Sequence, residues 1–330
     1  MVRKTSLPVN LRNKSDLVSA KTLIAESTHK GKRLDAVLKQ EFPQHSRSKI
    51  QRWIEEGRVL VNNQHRAKDY RLHPGDVITL SFPEEIPVQD IQPEAIPLTI
   101  LYEDEDLAVV VKPRGMLVHP TQTTRSGTLV NALLHRYGSL PYESEDEKYR
   151  AGIVHRLDKD TEGLMLIARS LSAFRILREH FKKHIIIREY LALCWGKTPP
   201  EGIIEKPIGR DKKSRIRMTP RTQKPREAKT QFFTLKHLEN FSLVRIHPYT
   251  GRTHQIRSHF YTLGFPLVGD PLYSMRKTRR FQKKYPFTSA GQLLQAYLIA
   301  FQHPVQEKIL SFSAPVSPAI SHFLQAVSTG

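Results

Sequence analysis

The first sustained helical pattern begins near residue 33. In Arg33–Phe42 the apolar residues Leu34, Val37, Leu38 and Phe42 share one face, and Pro43 ends the run. A second amphipathic stretch puts Ile50, Trp53 and Ile54 together, with Ser46 placed to cap its start and Gly57 its end. Val59–Val61 and Val77–Leu80 read as short strands, the first closed by the turn pair Asn62-Asn63. A stretch carrying Pro83, Pro87, Pro93 and Pro97 follows, with the composition of a semi-rigid linker.

From Ile100 onward short apolar runs alternate with turn signals: Leu107–Val111, Leu164–Ile167, Leu191–Trp195, Phe241–Ile246 and Ile309–Phe312. Leu171–Lys183 instead has helical spacing, with Phe174, Leu177 and Phe181 on one face. Strand runs outnumber helices and do not alternate regularly with them. The expected class is therefore α+β, with a mixed, mainly antiparallel sheet rather than a doubly wound parallel one. The expected layout is a flexible basic arm over 1–31, a small two-helix and hairpin domain over 32–82, a linker over 83–98 and a large domain over 99–330. The acidic stretch Glu143–Glu147 reads as a solvated loop.

Charge narrows the choice of partner. The 330 residues hold 52 Lys plus Arg against 32 Asp plus Glu, a net +20. The positives cluster: eight against two acids in residues 1–33, nine against two in 210–229, and six against none in Arg276–Lys284. Such a field attracts a polyanion, so nucleic acid is the expected partner. No run approaches the roughly 18 apolar residues of a membrane span, and the N-terminus lacks a secretory apolar core. A cytoplasmic monomer without a membrane partner is expected.

One cysteine, Cys194, rules out an internal disulfide and any multi-thiolate zinc site, and its apolar surroundings read as a packed strand. His254 and His259, five apart, match neither helical nor strand ligand spacing, so no metal site is expected.

Two segments carry the candidate chemistry. In Ala151–Ala168 two apolar strand pieces flank a polar turn holding His155, Arg156, Asp158, Asp160, Thr161 and Gly163. A turn between strands is where a scaffold presents reactive groups, although Asp, Thr and Gly are also plain turn formers. Pro248–His259 concentrates Arg252, His254, Gln255, Arg257 and His259, donors suited to RNA phosphates and sugar hydroxyls, in what reads as a fixed loop. A carboxylate from the first segment and a guanidinium from the second can form a buried pair, in which the arginine keeps the acid ionised.

Residues 32–80 resemble the S4 RNA-binding domain, in Arg33-Leu-Asp35, in the run from Ser46 to Gly57 and in Pro74-Gly-Asp-Val-Ile78. Lys49, Arg52 and Arg58 are the basic residues that would meet a phosphate backbone. His155-Arg-Leu-Asp-Lys-Asp-Thr-Glu-Gly163 resembles the signature of the RluA family of pseudouridine synthases. Further landmarks of that family follow its order: Val111–Pro120, Gly127–Leu134, Arg188-Glu-Tyr-Leu-Ala192, Gly251–Arg257 and Gly269-Asp-Pro271. The resemblance implies isomerisation of uridines in structured RNA with no cofactor; large-subunit ribosomal RNA or a ribosomal subunit precursor is the expected substrate, with tRNA as the alternative. It implies Asp158 as the catalytic carboxylate, Tyr190 as the residue stacked on the target base, Arg257 as the partner of Asp158 and Arg156 as a contact to the flipped nucleotide. His155, Arg252, His254 and Gln255, with Lys49 and Arg52, complete the expected RNA contacts. One departure is visible: Gln295 stands where family members usually carry histidine.

Overall fold

A computed structural model describes residues 20–81, 91–121, 124–211, 214, 216–220, 222, 224–274 and 291–328. The chain divides into two compact units, residues 1–90 with 144–148, and 91–143 with 149–330.

The small unit contains β1 (Ala20–Ile24), α1 (Leu34–Glu41), α2 (Arg47–Glu55), β2 (Val59–Val61), β3 (Gln64–His65) and β4 (Val77–Ser81). Leu34, Val37, Leu38, Phe42, Ile50, Trp53 and Ile54 are all buried in its core. Ser46 caps α2 by accepting from the Lys49 amide at 3.2 Å. Asn62 and Asn63 both take positive φ, 52° and 60°, in the tight turn between β2 and β3. The sheet order is β1-β4-β2-β3, all antiparallel.

The expected flexible arm ends earlier than residue 31. Residues 20–24 pair along β4, from Ala20 opposite Ser81 to Ile24 opposite Val77. Four of these five side chains are exposed, so an edge strand held by main-chain bonds leaves no hydrophobic period to read. The first 19 residues of the arm lie outside the described residues, as do 82–90 of the expected linker and the Arg276–Lys284 cluster.

The large unit has β5 (Thr99–Glu103), β6 (Leu107–Lys112), α3 (Leu129–Tyr137), β7 (Glu162–Ala168), α4 (Leu171–Lys182), β8 (Ile187–Trp195), β9 (Glu201–Glu205), β10 (Gly209–Arg210), β11 (Met218–Thr219), β12 (Lys229–His237), β13 (Phe241–Pro248), α5 (Gln255–Leu263), β14 (Leu294–Gln302), β15 (Ile309–Ser313) and α6 (Pro318–Ser328). Its main sheet runs β5-β6-β7-β14-β8-β13-β12-β9, with β15 also on β14. Only β7 and β14 pair in parallel, so the expected mixed, mainly antiparallel sheet is the fold observed.

Both faces of the central strands are covered, which explains why they read as unbroken apolar runs. On one face Ala108, Val110, Met165 and Ile167 pack with Leu129 and Leu133 of α3 and Ile256 and Phe260 of α5. On the other, Leu107, Val109, Leu164 and Leu166 meet Ala173, Phe174 and Leu177 of α4. Cys194 is a buried strand residue on the first face, and Leu191, Leu193 and Trp195 pack toward Ile320 and Phe323 of α6. The expected acidic loop is tied at its start, where Glu143 accepts from Arg175 and Arg178 of α4.

Candidate active site

The strand β7 begins immediately after the turn that carries Asp158. Gly163 adopts a φ of +112° there, and a Cβ on it would lie 2.2 Å from the Ala296 carbonyl oxygen of β14. Only glycine permits that approach. The turn itself is closed by the Thr161 amide donating to the Asp158 carbonyl at 3.1 Å, and the Thr161 hydroxyl accepts from Gln292 Nε2 at 3.0 Å.

Beneath the turn lies Lys112, fully buried. Its ammonium donates to the carbonyls of Pro113, Met116 and Lys159 at 2.7, 2.8 and 2.9 Å. Burial lowers its pKa to about 8 against the pull of Asp160, Glu162 and Asp158. All three N–H groups are therefore spent on backbone, one of them on the residue next to Asp158. The sequence marks Val111–Pro120 as a landmark without revealing this role.

Asp158 and Arg257 meet as expected. Arg257 Nη1 donates to Asp158 Oδ2 at 2.9 Å, the arginine side chain being 7% exposed and the aspartate 20%. A second carboxylate, absent from the sequence-based expectation, completes the arrangement: Arg257 Nε and Nη2 donate to Asp270 at 2.7 and 3.0 Å. Burial opposes the guanidinium charge, but hydrogen bonds and charge from Asp270 and Asp158 raise its pKa above the ordinary arginine value. Asp270, itself buried, also accepts from the amides of Leu272 and Tyr273, both at 2.9 Å. The clue lay in Gly269-Asp-Pro271, recognised as a landmark but not as a partner.

Tyr190 on β8 is buried and lines the same cavity, of about 500 Å³, together with Asp158, Arg156, Arg257, His254 and Leu294. Burial, reinforced by Asp158, pushes its phenol pKa up, so the ring is presented neutral. His254 has a φ of +53°, a left-handed conformation uncommon for a residue with a side chain. Its Nδ1 is 3.2 Å from the Tyr273 hydroxyl, and its Nε2 is 3.9 Å from Asp158 Oδ2. Burial lowers its pKa, partly offset by Asp158. Arg156 is exposed at the cavity rim.

Two expected RNA contacts also have partners within the protein. His155 Nε2 accepts from the Leu166 amide at 2.9 Å and its ring stacks on Phe181 at 4.5 Å, while burial drives its pKa down to about 3. Gln255 is buried and anchors the start of α5: its Nε2 donates to Lys229 O and Thr230 Oγ1, and its Oε1 accepts from Thr250 Oγ1 and the Arg252 amide. Both residues still form part of the cavity wall. Pro248–His259 is therefore a loop only to His254, after which it is the helix α5; the helical period was hidden because Gln255, Arg257, Ser258 and His259 are buried polar residues. Arg252 lines the cavity, with Nε donating to Glu227 O at 3.0 Å. Gln295 lies outside the cavity lining and ties Pro315 O and the Ser317 amide to β14, a structural task. In the small unit, Arg52 is exposed on α2, and the Lys49 ammonium lies 5.2 Å from the Trp53 ring centre.

The sequence profile of the RNA pseudouridylate synthase family matches residues 106–262, and that of the S4 domain residues 32–78. The uncharacterized RNA pseudouridine synthase YlyB of Bacillus subtilis is 38% identical over 92% of this chain and 96% of its own. The chain belongs to the RluA-type RNA pseudouridine synthases. The ribosomal large subunit pseudouridine synthase D of Nitrosomonas europaea is 37% identical over 90% of this chain and 85% of its own. The fold matches the human RNA pseudouridylate synthase domain containing 1, with a TM-score of 0.55 at 24% identity over 72% of this chain and 97% of that one. As an RNA pseudouridine synthase with an S4 domain, the protein acts on RNA. Among the described residues no helix is long and apolar enough to cross a membrane.

Proposed function

We propose that the cavity receives a uridine extruded from large-subunit ribosomal RNA and that Asp158 performs the reaction at its ribose. The pairing of Asp158 with a buried Arg257 beside Tyr190 carries this reading. The guanidinium favours the ionised carboxylate in a site that a base would close to water. The isomerisation breaks the bond from C1′ to N1, turns the uracil, joins C1′ to C5, releases the C5 proton and leaves one on N1. Ionised Asp158 can attack the anomeric carbon or take the 2′ proton, and either role uses the charge that Arg257 protects. Tyr190 offers a neutral ring on which an extruded base stacks. The reaction is redox-neutral, and in this reading Asp158 supplies the carboxylate and Tyr190 the stacking group, with no cofactor called for.

Ribosomal RNA as substrate, and with it action in the cytoplasm, is supported by relatives named ribosomal large subunit pseudouridine synthase D. The S4 unit adds a second, basic contact through Lys49 and Arg52. Release of tritium from a ribosomal RNA transcript labelled at uridine C5 tests the catalytic assignment. Asp158→Asn should abolish release while RNA binding persists, and residual turnover within about tenfold of wild type would remove Asp158 from the chemistry, since loss of an essential group costs far more.

A further inference from the structure

The cavity offers more room than a pyrimidine ring fills, since roughly 300–1,000 Å³ is the span that takes a whole drug-sized ligand. Its wall beyond Tyr190 is made by Phe181, Lys182, His184, Arg188, Gly251 and Arg252. Arg188 and Tyr190 alternate on β8, so both face this cavity, about 6–7 Å apart along the strand.

The Arg188 guanidinium is under-used. Among the described residues its one hydrogen bond is long, from Nη2 to the Pro248 carbonyl at 3.5 Å. Its Nε is shielded from solvent and has no acceptor, and among the described residues no carboxylate pairs with it. It is nevertheless fixed in place. It lies over the Phe181 ring at 5.5 Å, and that ring is backed by His155. Gly251 leaves it space, since a Cβ there would come within 3.2 Å of Arg188 Nη1. A merely solvated arginine would not be stacked and part-shielded in this way, because a shielded donor without an acceptor costs free energy. The planar fork suits a phosphate, which can accept two parallel N–H bonds. Arg252, whose Nε donates to Glu227 O, and the exposed Lys182 make this wall positive, while burial and the charges of Arg188 and Arg252 lower the His184 pKa and leave that ring neutral.

We propose that Arg188, supported by Arg252, binds the backbone phosphate adjacent to the target uridine. The inference rests on the reading that this cavity takes the target nucleotide. It is tested with Arg188→Gln, Arg188→Lys and Gly251→Ala, using the tritiated ribosomal RNA transcript over a series of salt concentrations. Arg188→Gln should raise KM roughly tenfold or more, the scale of a charge-assisted hydrogen bond, and leave kcat at saturating RNA within about twofold. Its plot of log KM against log salt should be shallower by about 0.7–0.9, one phosphate contact. The Lys variant should restore the slope without the full affinity, and Gly251→Ala, which crowds the guanidinium, should shift KM the same way as Gln. If the Gln variant unfolds, the Lys and Gly251→Ala variants carry the test. An unchanged salt slope, or a fall in kcat at unchanged KM, overturns the proposal. Activity surviving in Asp158→Asn would instead show that the cavity is not the reaction site, while the salt slope would still report whether Arg188 holds phosphate.

Discussion

Arg257 donates twice to Asp270 and once to Asp158, so the group facing the substrate is held from behind by a second, fully enclosed carboxylate. The bidentate contact fixes the plane of the guanidinium, and only then does Nη1 point at Asp158. Asp270→Asn should keep the fold but loosen that plane, lowering kcat about tenfold or more with little change in KM. Asp270→Ala should also lower the thermal midpoint, because two donors of the buried guanidinium and the amides of Leu272 and Tyr273 lose their acceptor.

Charge and geometry separate at Arg257 itself. Activity should fall in the order wild type, Arg257→Lys, Arg257→Ala, the last by about 10²–10³-fold, because lysine keeps the charge but lacks the fork. Turnover measured at saturating RNA checks this: a near-normal kcat with a raised KM in the Ala variant would limit Arg257 to binding.

The small unit carries its own acid sensitivity. Burial works against ionisation of Asp35, but hydrogen bonds from Arg33, Gln51 and Arg47 prevail and hold its carboxyl down at about 2. Because the folded value lies below the unfolded one, the pair stabilises above about pH 4 and the benefit disappears as pH falls toward 2. The contribution is roughly 2 kcal/mol. Asp35→Asn should lose it at neutral pH and flatten the acid limb of a denaturation series.

Neutralising Lys49 and Arg52 together should weaken RNA binding and reduce its salt dependence, with a slope change of about 0.7–0.9 for each phosphate contact removed. The unfolding midpoint should not move for the Arg52 change alone, since Arg52 is exposed and its 3.9 Å pair with Glu56 is a weak surface contact, whereas Lys49 also lies over the Trp53 ring and 3.3 Å from His45 Nδ1. A filter-binding series in salt decides it.

Much of the architecture was legible because its strands are unusually apolar. Leu107–Val110 and Leu164–Ala168 are buried on both faces, so the sequence shows continuous runs. The strand β1 was invisible because main-chain pairing needs no side-chain pattern. At the site, Asp158 and Arg257 could be paired from charge and motif, whereas Asp270, Lys112 and Arg188 could not. A buried lysine bonded to three carbonyls looks in sequence like any surface lysine, and only the fold brings Asp270 behind Arg257. The internal bonds of His155 and Gln255 were equally hidden, since polarity in a functional segment does not distinguish a side chain that only faces a ligand from one that also braces the protein.

The strand order carries a consequence for biosynthesis. β7 and β8 follow one another in the chain, yet they are separated in the sheet by β14, made more than a hundred residues after β7. Until that late strand is made, β7 and β8 each lack a neighbour and the cavity wall around Leu294 is missing. Closing so long a loop is a slow, late event in folding. A chain cut before β14 should therefore leave two strand edges open to association and lack part of the cavity wall.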